Sequence, residues 1–215
     1  MTEHEMVQQL LRIKDQAPVM VDAEKSALVV VDVQRFFARP EYPFAQLFEK
    51  MVPGVTADYF QRVNSTVLPS IQRLLACFRA RKLPIIYFAV GCHSPDGRDL
   101  PKWMREFDEV SVMLNGQRVC PPVGDPSGAI EDRVAPLPGE MVLTKSSSGP
   151  RDGRPRLPGD RSGRRLHRAE RRIPPGALLT FALTFGRVRP TGQIVELFAA
   201  AEAEAEPGAP ADGGA

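Results

Sequence analysis

Two charged residues, Asp32 and Lys145, each end an apolar run and could bring a proton acceptor and a positive charge to one place. Asp32 lies near the end of ALVVVDV and Lys145 closes EMVLTK, so each run is predicted to be a strand with its charged residue at the carboxyl end. In a doubly wound sheet, strand ends of this kind converge on the crevice where ligands bind. Without further context, however, Asp32 could simply cap a helix, and Lys145 could be a solvated lysine at a strand end.

The cysteine and histidine residues form no recognisable chemical motif. The three cysteines are an odd number without metal-type spacing, and the histidines are scattered, so we predict neither a disulfide framework nor a metal site nor an organic cofactor. Reduced thiols are the simple expectation. Cys92 follows a predicted strand and could lie near the crevice, although a small buried cysteine is the commoner interpretation. The other residues concerned are Cys77, Cys120, His4, His93 and His167.

The order of elements predicts an α/β protein with three α/β/α layers around a mainly parallel, Rossmann-like sheet. The first strand lies within residues 26–34, and a helix with apolar residues at helical spacing spans residues 58–81. Pro69 should bend or divide that helix. Strands at residues 84–91 and 139–146 follow, and the first strand, helix and second strand form a right-handed βαβ unit. Residues 92–138 are predicted to form a long irregular connection over the site.

Length and charge indicate one globular domain over residues 1–200, followed by a disordered tail at 201–215. The net charge of +2 gives no reason to expect a nucleic acid or a membrane as partner. The polar N-terminus is unlike a signal peptide, and we expect a cytoplasmic protein.

Residues 151–175 differ sharply from the rest of the chain. They contain nine Arg, three acidic residues and four Pro, with almost no apolar periodicity, and cannot build a core. This block carries a net charge of +6, so the remainder of the chain carries −4. A globular pattern returns from Ala177.

Three segments, taken in order, resemble the isochorismatase-like cysteine hydrolase family. They are VVVDVQRFF around Asp32, VLTKSSSG around Lys145, and FALTFGRVRPTGQIVE towards the C-terminus. The resemblance covers roughly residues 20–150 and 177–198. It implies that Asp32 is a general base, that Lys145 lowers a thiol pKa, and that a cysteine at a helix N-terminus forms an acyl-enzyme. Gln34, Phe37 and Trp103 are the candidate substrate-binding residues, although an aromatic side chain in a loop is often only packing.

The segment that should carry the nucleophile is missing. Family members continue with a fourth strand and a turn resembling TGVATDxCV, whereas here only about 30 residues separate Lys145 from the C-terminal motif, too few for two further strand–helix units. One or two strands are therefore predicted to be absent after residue 150. The first strand, which is normally central, would then expose an apolar edge that invites aggregation.

A change of reading frame explains both the missing segment and the unusual composition. Permitted codons for Arg151 to Gly176, read one nucleotide later, can give ATAARGYRATVPVDACTERSAASHRA, which resembles the helix, strand and DACxxRS segment of the family. We hypothesise a deletion after Pro150 and an out-of-frame stretch that is restored near Gly176.

Several functions stay open at this point. The first is hydrolysis of a small amide or ureido C–N bond, impaired here because no nucleophilic cysteine is identified. The second is isochorismate-type vinyl ether hydrolysis, which in some relatives uses the acidic residue without the cysteine. The others are an inactive scaffold with an Arg-rich loop that binds nucleic acid, and a silent subunit paired with an intact relative. A small-molecule substrate and a homo-oligomer are expected, and the sequence does not identify the substrate.

Overall fold

The computed structural model describes residues 21–22, 24–146 and 189–205. The chain divides into two compact units, one spanning Lys25–Pro155 and the other combining Met1–Glu24 with Arg156–Ala215. The Arg-rich block at 151–176 lies outside the described residues, so the frame-change hypothesis stays a prediction. The single domain predicted over residues 1–200 likewise stays a prediction.

The first unit is built on a parallel sheet of three strands, which confirms the predicted α/β class. The strands are β1 (Leu28–Val31), β2 (Ile85–Val90) and β3 (Met141–Lys145), and they lie in the order β1-β2-β3. In register, Val31 is paired with Phe88 and Phe88 with Leu143. All three predicted strands are therefore present, and their carboxyl ends lie at the same edge of the sheet.

Helices make up most of the connections between these strands. Between β1 and β2 lie α1 (Arg35–Ala38), α2 (Pro43–Met51), α3 (Ala57–Arg62) and α4 (Leu68–Ala80). A π-helical segment, Val63–Val67, joins α3 to α4 directly before Pro69. Because proline has no N–H and its ring crowds the preceding turn, a wider turn accommodates it. The predicted helix is thus divided by a π-helical segment that ends two residues before Pro69.

The prediction of an irregular connection over residues 92–138 is wrong in its central part. A helix, α5 (Lys102–Asn115), occupies it, preceded by Pro101 and ended by Gly116 in the left-handed conformation with φ of 71°. The inward face of α5 contains the buried polar residues Asp108 and Ser111. These polar residues interrupt the apolar period, and the helix was therefore missed. Its boundaries carry the usual signals, Pro at the start and Gly past the end.

The two faces of the sheet differ in burial. On one face Val30, Ile85, Tyr87 and Ala89 are buried, and α4 contacts both β1 and β2. The other face exposes apolar side chains on both outer strands: Val29 (49%), Val31 (51%), Met141 (53%) and Leu143 (41%). β1 is an edge strand among the described strands, which agrees with the predicted apolar edge.

The described part of the second unit contains one helix, α6 (Thr191–Ala205). It extends into the stretch 201–215 that was predicted to be disordered, so that prediction is wrong for residues 201–205. The sequence AEAEA consists of strong helix formers, which explains the extension. Residues 206–215 lie outside the described residues. In the parts of the chain that the structure describes, no helix is both long and apolar enough to cross a membrane.

Candidate functional site

Asp32 and Lys145 meet at the carboxyl edge of the sheet, across the end of β2. The Lys145 ammonium donates a hydrogen bond to Asp32 Oδ2 over 2.8 Å. The Lys145 side chain is 10% exposed and that of Asp32 is 30% exposed, so the pair is partly shielded from solvent. An ion pair in this setting is stronger than one on the open surface, because less water screens it.

The backbone of Asp32 adopts a conformation that few residues tolerate. Its N–H donates to the Phe88 carbonyl over 2.9 Å, which extends the β1–β2 ladder by one bond. Its φ is then +56°, in the left-handed region where Asp and Asn are among the residues best accepted. This turn directs the side chain towards Lys145. Asp32 Oδ1 is buried and has no hydrogen-bond partner among the described residues, so it retains lone pairs that can accept a proton.

Gln34 is fully buried and fixes the backbone around this edge. Its Oε1 accepts from Val90 N over 2.8 Å, and its Nε2 donates to Val90 O over 2.9 Å and to Gly128 O over 2.6 Å. The side chain thereby joins the segment after β1 to the end of β2 and to the loop before β3. It lies in the wall of a cavity of about 230 Å³ formed by this loop and the ends of β2 and β3. In this structure its amide serves the protein itself.

Phe37 and Trp103, the other two candidate substrate-binding residues, line one common cavity. We call this the aromatic cavity. It measures about 310 Å³ and lies among α1, α2, α5 and the segment after α5. Trp103 is 56% exposed, whereas Phe37 is half-buried. The lining consists of Phe36, Phe37, Phe44, Phe48, Trp103, Met104, Phe107, Asp108, Val119 and Cys120, and it includes neither Asp32 nor Lys145.

One acid, Asp108, is buried in the wall of the aromatic cavity. Its Oδ1 accepts from Val119 N and Cys120 N, each over 2.9 Å, and thereby holds the chain after α5 in place. Its Oδ2 is buried without a hydrogen-bond partner among the residues that the structure describes, and it lies 3.8 Å from Arg118 Nε. Burial raises the pKa of Asp108 above its ordinary value, although the two backbone donors and Arg118 act in the opposite direction.

Neither Cys92 nor Cys120 has the environment of an activated nucleophile, and Cys77, whose thiol accepts a hydrogen bond from Arg81 Nη1 over 3.1 Å, is buried on α4. All three are buried. Burial raises the pKa of Cys92, and burial with the nearby Asp108 raises that of Cys120 to about 12. The Cys92 thiol packs in an apolar cluster with Phe36, Leu47 and Leu100, 3.9 Å from the Cys120 carbonyl. The thiols of Cys92 and Cys120 therefore stay protonated at neutral pH, and the packing interpretation of Cys92 fits the structure.

The described residues bring together no group of three or more His, Cys, Asp or Glu side chains that could hold a metal ion.

Ion pairs near the sheet edge hold α1 to the loop before β3. Arg39 donates to Glu131 over 2.7 Å and to Asp132 over 2.6 Å, which ties α1 to the loop before β3. These contacts hold α1, and with it the aromatic cavity, against the sheet edge.

Sequence reasoning missed several residues of the aromatic cavity. Phe44 and Phe48 are four residues apart on α2 and so share a helix face, a signal that was available from the sequence. Nothing in the sequence indicates that Asp108 is buried, because a single acidic residue in a charged stretch is normally predicted to lie on the surface.

No protein-family model and no curated protein sequence matches the chain. Among solved structures, it is similar to an isochorismatase family protein from Desulfovibrio vulgaris, with 28% identity, a TM-score of 0.38, and coverage of 56% of this chain and 52% of that one. It is also similar to a cysteine hydrolase from Pseudomonas syringae pv. phaseolicola, with 22% identity, a TM-score of 0.41, and coverage of 60% and 52%.

A third similar structure is N-carbamoylsarcosine amidase from Thermoplasma acidophilum, with 22% identity, a TM-score of 0.32, and coverage of 56% and 51%. The chain spans about half the length of these solved proteins. The chain is thus similar to isochorismatase-family and related hydrolases.

Proposed function

We propose that Asp32 and Lys145 are the acid–base part of a hydrolase site of the isochorismatase-like family, one that in its complete form cleaves a small amide or ureido C–N bond. The observation that carries this proposal is the 2.8 Å contact between Lys145 Nζ and Asp32 Oδ2, with Asp32 Oδ1 left without a hydrogen-bond partner in residues 21–22, 24–146 and 189–205. In the complete site Asp32 would take the proton of a thiol, and Lys145 would stabilise the thiolate.

This chain would carry out the chemistry poorly. Acyl-enzyme formation needs a thiolate that can reach a carbonyl carbon, and all three cysteines are buried with the pKa of Cys92 and Cys120 raised. Loss of a covalent nucleophile removes most of the rate enhancement of such an enzyme. We therefore expect C–N hydrolysis near the background rate.

A second candidate, isochorismate-type vinyl ether hydrolysis, is favoured by the same pair. In that reaction a proton adds to the terminal vinyl carbon, water adds to the ether-bearing carbon, and the C–O bond breaks to release an alcohol and a keto acid. The reaction uses an acid–base residue and water but no thiol. The intact Asp32–Lys145 contact, in a chain whose thiols are all buried, fits this requirement.

One experiment separates the two functions. The purified chain is assayed for ammonia released from N-carbamoylsarcosine and for pyruvate released from isochorismate. The first compound is taken from the name of the Thermoplasma amidase. If the chain hydrolyses the vinyl ether, pyruvate release should disappear in the Asp32→Asn variant. It should be retained in Lys102→Ala, which changes an exposed lysine on α5. Pyruvate release that is unaffected by Asp32→Asn would contradict this function.

The C–N proposal is tested on the coding DNA for residues 140–185. If an uninterrupted frame with a cysteine-bearing turn is present, the restored chain should release ammonia from an amide or ureido substrate. That activity should disappear in Cys→Ala at the restored position, in Asp32→Asn and in Lys145→Ala. Restored chain that is inactive on a panel of small amides and ureides would contradict the assignment of this pair to C–N hydrolysis.

The expected homo-oligomer, the silent subunit of an intact relative, and the Arg-rich nucleic-acid-binding loop stay proposals. Sedimentation of the purified chain tests for a homo-oligomer, and copurification from the source cell tests for pairing with an intact relative. Nucleic-acid binding that is strong and falls steeply with salt would support the third.

A further inference from the structure

The aromatic cavity has the size and wall of a binding site for a small ring. Its volume of about 310 Å³ is at the lower end of the range of ligand pockets. The ring of Phe37 meets that of Phe44 edge-on at 5.0 Å, Phe44 meets Phe48 at 5.1 Å, and Phe48 meets Phe107 at 5.7 Å. Contacts of this geometry stabilise a wall of aromatic rings without filling the space beside it.

This wall carries a single charged residue. Asp108 is 1% exposed, and its Oδ1 is occupied by two backbone N–H groups. Within the described part of the chain its Oδ2 has no hydrogen-bond donor. The Arg118 guanidinium, whose Nε is 3.8 Å away, donates from Nη1 and Nη2 to the Pro95 and Asp96 carbonyls. A buried carboxyl oxygen without a donor costs free energy that a ligand hydroxyl or N–H would offset. The Arg118 guanidinium and the two backbone donors favour the ionised form of Asp108 against its burial, so a ligand carboxylate in the same cavity would meet a like charge in surroundings of low dielectric constant.

We propose that the aromatic cavity binds a small uncharged aromatic ring bearing one hydrogen-bond donor, and that Asp108 makes it reject aromatic carboxylates. This site is separate from the Asp32–Lys145 pair, because neither residue lines it. The proposal does not rest on the proposed hydrolytic function. Binding is measured without turnover, so a negative result leaves the hydrolase proposal standing.

The protein offers a direct optical readout. Trp103 is the only tryptophan of the chain and lies at the exposed rim of the cavity. Phenol, toluene and benzoate serve as probes, since they share one ring and differ in donor and charge. Trp103 emission is followed on titration at pH 8, with excitation at 295 nm, where the three probes absorb little.

Phenol is expected to give a saturable change and to bind about tenfold more tightly than benzoate, because benzoate brings a second negative charge beside a buried carboxylate. The affinity for toluene should lie between those for phenol and benzoate. Asp108→Asn keeps an oxygen for the two backbone donors and removes the charge, so the preference for phenol over benzoate should narrow to about twofold. Equal binding of phenol and benzoate by the unaltered chain, or a preference that survives in Asp108→Asn, would overturn the proposal.

A second pair of variants places the ligand. Met104→Ala removes part of the cavity wall and should weaken phenol binding about fivefold through lost apolar contact. Met113→Ala, at a position on the same helix that is 75% exposed and outside the lining, should bind phenol unchanged. Far-ultraviolet circular dichroism identifies any variant that fails to fold. Equal weakening in both variants, or no saturable change with any probe, would contradict a site in this cavity.

Discussion

Lys145 and Asp32 form a direct ion pair although 113 residues separate them in the chain. β2 lies between their strands, so the pair spans the sheet edge above it. Because both side chains are partly shielded, their mutual free energy should exceed that of an exposed pair.

A double-mutant cycle measures this free energy. Asp32→Asn, Lys145→Met and the double variant should give a coupling of about 1.5 kcal/mol in the free energy of unfolding. The exposed pair Lys102–Glu106 on α5, separated by 3.4 Å, is the matched control and should give about 0.3 kcal/mol. A coupling no larger than the control would mean that the contact contributes nothing beyond a surface ion pair.

Gln34 should be required for stability whatever its relation to substrate. Gln34→Leu keeps the approximate side-chain volume and removes three hydrogen bonds, which leaves Val90 N, Val90 O and Gly128 O without this partner. We expect a loss of about 3 kcal/mol in the free energy of unfolding, measured by urea denaturation. Gln46→Ala, an exposed glutamine with one bond to the Glu41 carbonyl, should change it by less than about 0.5 kcal/mol. An equal, small effect of both changes would show that the buried network is dispensable.

The strands and the ion pair at their ends could be predicted because both depend on local apolar runs and on the rule that parallel strand ends converge. The burial of Gln34 could not, since its partners Val90 and Gly128 are 56 and 94 residues away. The side chain of Gln34 holds a loop, and its assignment as a substrate-binding residue stays a prediction.

The aromatic cavity shows the same limit. The sequence indicates Phe37 and Trp103 as candidate substrate-binding residues, and the packing of α5 against α2 shows which cavity they share. That helix was hidden because Asp108 and Ser111 face inwards. The inward position of Asp108 depends on tertiary contacts, because the backbone N–H groups of Val119 and Cys120 donate to its carboxylate. The periodicity of the sequence does not predict such contacts.

The contribution of Glu140 to the free energy of unfolding should be lost at acidic pH. Hydrogen bonds from Arg79, over 2.7 and 2.9 Å, hold the pKa of Glu140 below its ordinary value of 4.5, and Leu137 N donates to it as well. A carboxylate with a lowered folded-state pKa stabilises the protein above the unfolded-state pKa. This contribution is lost as the pH falls through the folded-state value.

Glu140→Gln removes this contribution. It should cost about 2 kcal/mol in the free energy of unfolding at pH 7, and the difference from the unaltered chain should shrink steadily below about pH 4.5. Denaturant titrations at pH 7, 5, 4 and 3 measure it. Glu106→Gln, at an exposed position, should show almost no difference at any of these pH values. A difference that stays constant from pH 7 to pH 3 would assign the effect to packing rather than to ionisation.

The exposed face of the sheet should drive self-association. Val29 and Val31 lie on β1, an edge strand of the described sheet, and are 49% and 51% exposed. An apolar edge strand presents unpaired backbone groups beside apolar side chains, which favours pairing with a second chain. Val29→Thr with Val31→Thr keeps the β-branched shape and adds two hydroxyl groups that water can solvate. Light scattering should fall, and the free energy of unfolding should change by less than about 0.5 kcal/mol.

Val30→Thr is the matched control on the same strand. Val30 is 5% exposed and points to the face that contains Tyr87. Burying a hydroxyl there should lower the free energy of unfolding by about 2 kcal/mol and leave light scattering of the folded protein undiminished. If the two outward substitutions left scattering unchanged, the association would have to arise from another surface. The exposed apolar side chains of β1 would then be tolerated by the monomer.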